Sequence, residues 1–158
     1  MHYFWGRDFP LGSPQPVEAP EPLMKTLPYL LRYPLTLLLT LGIPFGLHAW
    51  FRARSGLIPF GDLLVDSYLF NFFMAFAIVA GLYAVRFRMR QQIGFLFIGG
   101  SLAKFLVFFL FFYPSFTADD TISRAEFSSF FVPYFLALAT ETFFTASMLK
   151  NLEKENPG

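Results

Sequence analysis

Two ionisable residues stand where such residues seldom do. Lys104 is the twelfth residue of a 21-residue apolar run, 93–113, and Glu141 is the fifteenth of 23 in the run 127–149. A charge held alone in hydrocarbon costs about 2.5–3.5 kcal/mol on insertion-derived scales. Two of them in one short chain call for each other or for a function. A lysine and a carboxylate at such depth can clamp two helices in register, relay a proton or ion, or meet a charge in a partner's membrane segment.

Their depths agree. With both chain ends on the cytoplasmic side, Lys104 lies about 16 Å from the cytoplasmic end of its run and Glu141 about 12 Å, at 1.5 Å per residue. A lysine side chain covers that difference. Gly100 and Ser101 lie beside Lys104, and Tyr134, Ala137 and Thr145 share the face of Glu141. Small and hydroxylated neighbours suit a close, hydrogen-bonded helix contact. A Lys104–Glu141 pair is therefore expected, within one chain or between two, with those five residues as its supporting face.

Other chemistry finds little to stand on. The sequence has no cysteine, which removes disulfides, thiolate metal sites and cysteine nucleophiles. His2 and His48 are far apart, so no metal site is expected, and no cofactor. The glycines of GFLFIGGSLAK are wrongly spaced for a phosphate-cradling loop, and neither a nucleophile elbow nor HExxH occurs. An enzyme is not expected. Net charge is +1, which gives no electrostatic basis for nucleic-acid binding.

The elements that must hold the two charges are membrane helices. Hydrophobic residues make up 55% of the 158 and charged residues 15%, against about 25% charged in soluble domains. The apolar residues gather in blocks of about 20, the length that crosses the bilayer core as a helix. The expected fold is all-α: a polytopic four-helix transmembrane bundle with spans 27–51, 67–85, 93–113 and 127–149. A Pro-rich flexible segment, 1–26, precedes it, and its HYFW cluster suits a membrane interface. A polar tail, 150–158, follows. Pro34 and Pro44 should kink the first span. Asp62 is placed to cap the second helix, Ser128 and Ser129 to open the fourth, and Asn71 to find a loop or water partner. Ala77 with Gly81, and Ala80 with Ala84, form small-xxx-small pairs for close helix approach.

Basic residues favour the cytoplasmic side. Eight of them (Arg7, Lys25, Arg32, Arg86, Arg88, Arg90, Lys150 and Lys154) fall there if both termini are cytoplasmic, against three outside, Arg52, Arg54 and Arg124. Lys104 belongs to neither side.

The stretch from IGFLFIGGSLAKFLVFFLFF to FFVPYFLALATETFFTASMLKNL resembles a family of uncharacterised four-span bacterial inner-membrane proteins. That family has a glycine-and-lysine third helix and a Pro-Tyr-Phe…Glu-Thr fourth. Lys104, Tyr134, Glu141 and Thr142 carry the likeness, over about the second half of the chain. Members often lie beside genes of the rotary ATP synthase. Their organisation is similar to the small synthase-associated I-type membrane proteins implicated in rotor-ring assembly. The resemblance implies a bacterial inner membrane and an accessory role at a larger complex. Together with the residues it leaves two readings. One is a non-enzymatic accessory or assembly protein, in the lipid bilayer with a membrane-protein partner or a second copy. The other is a small oligomeric transporter or channel that uses Lys104 and Glu141.

Overall fold

The computed structural model describes residues 23–117 and 122–155. The HYFW cluster and most of the proline-rich segment lie outside these, as do Asp119 and Asp120. Four helices are long and apolar enough to cross a membrane, and no strand occurs among the described residues. Helix α1 covers Leu23–Arg54, α2 Leu64–Val85, and α3 Ile93–Val107. A π-helical turn at Phe108–Phe112 carries α3 into the short α4, Tyr113–Phe116. Helix α5 covers Arg124–Glu155. In hydrocarbon the backbone must satisfy its own hydrogen bonds, which is why uniformly apolar stretches of this length become helices.

The helices overrun the hydropathy boundaries. Residues 23–26 belong to α1, and 150–155 continue α5. Apolarity marks what lies in hydrocarbon, whereas caps and propensity decide where a helix ends. At the start of α5, the Ser123 hydroxyl accepts from the Glu126 N–H at 3.1 Å, and the Glu126 carboxylate accepts from the Ser123 N–H at 2.7 Å. That is a capping box. It corrects the placement of Ser128 and Ser129 at the helix start, since both sit a full turn inside.

Helix α1 runs antiparallel to α2 and α5. At one end, here called basal, Tyr29 stacks on Tyr83 of α2 and donates a hydrogen bond to the Phe144 carbonyl of α5. At the opposite, distal end, His48 meets Tyr68 of α2 and Ser128 of α5. Helices α2 and α5 are thus parallel, and they pack against each other more extensively than any other pair. The inner face of α2 is Leu64, Ser67, Tyr68, Asn71, Ala75, Val79 and Leu82, steps of three and four that trace one helical stripe. Its opposite face, including Leu69 and Phe73, is exposed to where lipid would be.

Of the small-residue pairs of α2, only Ala80 turns inward, half-buried beside Tyr29 and Tyr33 of α1. Ala77, Gly81 and Ala84 are exposed, and a Cβ on Gly81 would meet nothing within 4 Å. The close approach is made by Gly100 of α3, where an added Cβ would fall 3.0 Å from Ile78 Cγ1. Gly99, its neighbour, faces open space. Gly100→Leu should therefore destabilise the folded protein by about 1–3 kcal/mol, the usual range for overpacking. Gly99→Leu should be close to neutral. Thermal unfolding of both variants in mild detergent compares them directly, and equal losses would show that α2 and α3 do not meet at Gly100.

Candidate functional site

The inner stripe of α5 recurs at three- and four-residue steps: Ser129, Phe130, Pro133, Ala137, Glu141, Phe144, Thr145, Met148 and Leu152 are all buried. This stripe brings Glu141 to the bundle interior, where α3 presents Lys104. Lys104 Nζ donates to Glu141 Oε1 at 2.8 Å and to Oε2 at 2.9 Å, and both side chains are 0% exposed. One ammonium thus serves both carboxylate oxygens. Its remaining side faces Tyr134, whose ring centroid lies 5.2 Å from Nζ, in cation–π range.

The supporting residues divide. Tyr134 touches the pair directly, and Ala137 and Thr145 are buried one turn either side of Glu141. Gly100 turns instead toward Ile78 of α2. Ser101 lines a groove of about 310 Å³ between α3 and α5, with Phe97, Phe105, Tyr134 and Leu138.

What keeps the aromatic row on the face of Lys104 is the π-helical turn just after it. Lys104, Phe108, Phe112 and Phe116 are all buried, each four residues from the last. Four residues of α-helix overshoot a full turn by about 40°, so such a series would walk off its face. The wider π turn takes up the overshoot and keeps all four toward α5. There Phe130 is clasped: its ring centroid lies 4.5 Å from that of Phe108 and 4.9 Å from that of Phe112. A π turn has no sequence signature in a run such as FFLFFY, which hid it from the sequence.

A second polar centre closes the distal end. The Arg52 guanidinium donates to Asp62 Oδ2 at 2.6 Å, to the Ile58 carbonyl at 3.0 Å and to Ser129 Oγ at 3.3 Å, and it is only 4% exposed. Asp62 is therefore a partner of Arg52 and not a cap. The N-cap of α2 is Leu63, without a side-chain hydrogen bond. Asp62 and Leu63 both have φ 53°, a left-handed conformation that costs a non-glycine residue about 1–2 kcal/mol. The Arg52 fork holds this loop, and opposite charges ten residues apart across a Gly/Pro-rich turn were the signal for it. Asn71 lies inside the bundle. It is 0% exposed, and its Nδ2 donates to the Ser67 carbonyl of its own helix. His48 spans 3.5 Å to the Tyr68 hydroxyl and 3.4 Å to Ser128 Oγ. No cluster of three metal-ligating side chains occurs among the described residues.

The model of a family of unknown function (DUF6168) matches residues 29–152, which takes in all four spans and not the second half alone. No curated protein matches the chain, and no solved structure does.

Removal of one partner from a buried pair leaves an uncompensated charge, at about 3–5 kcal/mol. Lys104→Glu and Glu141→Lys should each cost at least that in unfolding free energy in detergent. The double swap should recover most of the loss, because the two helices still offer one charge of each sign. A double variant no better than the single ones would count against direct pairing.

Proposed function

The chain belongs to this family of unknown function, and we propose that it works as a non-enzymatic integral membrane accessory protein, packed side by side against a larger membrane complex. The observation that carries the reading is the closure of the Lys104–Glu141 pair within one chain. With both charges satisfied internally, the membrane polar chemistry of α3 and α5 turns inward. What the bundle offers a neighbour is apolar helix surface, such as Leu69 and Phe73 of α2, beside the open Ala77–Gly81–Ala84 side where another backbone can come close.

The rival reading, an oligomeric transporter lined by the pair, needs a passage through the bundle. The basal side of the pair is instead filled by the apolar cluster Leu82, Ile93, Met148 and Leu152. This favours the accessory role. The resemblance of the third and fourth helices makes a rotary ATP synthase in a bacterial inner membrane the first complex to examine. Cytoplasmic termini fit the charge distribution, eight basic residues against three.

Cross-linking in native membranes, mild-detergent extraction and identification of what is retained should recover one membrane complex in fixed ratio. Recovery of the chain alone, as a discrete dimer or larger oligomer, would overturn the accessory reading in favour of the transporter. Orientation has its own check, because the chain has no cysteine of its own. In intact cells, a membrane-impermeant thiol reagent should label Leu57→Cys and spare Arg88→Cys; the opposite pattern would invert the topology.

A further inference from the structure

The chain does not simply leave the membrane where α1 ends. Gly56, at φ 75°, donates its N–H to the Ala53 carbonyl at 3.2 Å, and the Leu57 N–H reaches back to the Arg52 carbonyl at 3.0 Å. These two bonds make a Schellman motif, which ends the helix and reverses the chain. A tight turn follows, in which the Gly61 N–H donates to the Ile58 carbonyl at 3.1 Å across Pro59 and Phe60. The segment 58–60 therefore folds back beside α1. The Phe60 ring stacks on Phe45, with centroids 6.1 Å apart, and Phe45 meets Tyr68 of α2 edge-on at 5.2 Å.

The level of that contact can be placed. Trp50 is exposed, and the Arg54 guanidinium lies 5.2 Å from its ring centroid, a pairing suited to the headgroup region. Phe45 is five residues basal to Trp50, or about 7.5 Å deeper along the helix. The segment also presents apolar surface outward: Ile58 is 74% exposed and Phe60 61%. Non-helical backbone is tolerated at membrane depth only where its polar groups are matched. Arg52 does this, because its Nε donates to the Ile58 carbonyl at 3.0 Å while Asp62 neutralises its charge. Gly61 gives the guanidinium its room, since a Cβ there would fall 3.0 Å from Arg52 Nη2.

We propose that the segment 58–60 is a re-entrant wedge that inserts the side chains of Ile58 and Phe60 among the acyl chains of the distal leaflet. Its partner is lipid, and the buried Arg52 fork is what makes the insertion tolerable for the backbone. Leu57, at the reversal itself, stays at the aqueous edge. The inference is separate from the accessory reading, which concerns the sides of the helices and holds with or without a wedge.

The test is electron paramagnetic resonance of the full chain in phosphatidylcholine–phosphatidylglycerol bilayers. The sequence has no cysteine, so Ile58→Cys and Ser55→Cys each take one nitroxide label. Oxygen, which concentrates among acyl chains, should relax the label at 58 more than a water-soluble nickel chelate does. At Ser55, beyond the helix end, the order should reverse. Adding Gly61→Val displaces the guanidinium, and the label at 58 should then become accessible to nickel with the helical circular dichroism unchanged. A label at 58 as open to nickel as the one at 55 would overturn the proposal. So would a label at 58 shielded from both reagents, since protein and not lipid would then cover it. The comparison of 58 with 55 uses the otherwise native chain, so it decides the insertion even if Gly61→Val fails to fold.

Discussion

A lysine and a glutamate cannot remain charged in hydrocarbon unless each has the other, and the bundle is arranged around that requirement. Helix α3 approaches α5 closely at few points and rests more on α2. The Lys104–Glu141 contact therefore does much to set how α3 is rotated and how far it slides along α5. Buried pairs contribute less to net stability than their Coulomb energy suggests, because both ions lose their hydration. Their better-attested use is specificity. Between two phenylalanine-rich helices, where many registers bury similar apolar area, a charge pair singles out one.

The aromatic packing follows from the same constraint. Once Lys104 faces α5, a regular α-helix would carry Phe108, Phe112 and Phe116 progressively away from it. The π-helical turn lets charge and aromatic row share one face, so that Phe130 closes against Phe108 and Phe112. At the distal end the arrangement is different in kind. Arg52 draws in a carboxylate, a carbonyl and a hydroxyl from the α1–α2 loop and α5, and so ties three parts of the chain at a point where two residues are held in left-handed backbone. Both centres are inward-facing, and the outer surface between them is apolar.

The sequence by itself determined the four spans, the all-α class and the two charges that had to meet. Each rests on a large energy: backbone groups and ions are so costly in hydrocarbon that few arrangements survive. The same reasoning marked Tyr134, Ala137 and Thr145 as neighbours of Glu141, since helical periodicity fixes who shares a face. It failed where the alternatives differ by little. Asp62 reads equally well as a cap or as an ion-pair partner, and only the path of the α1–α2 loop, which carries it to Arg52, decides.

Tertiary structure alone decided which apolar residues face inward. Phe112 is buried and Phe111 exposed, Phe144 buried and Phe143 exposed, though the sequence treats each pair alike. In water the polar face of a helix would have separated them. In a bilayer lipid solvates the outer face as readily as protein packs the inner one, so hydropathy carries no inside and outside. The π turn and the approach of Gly100 to Ile78 arise only when the helices are set against one another, because each is a relation between elements and not a property of any one of them.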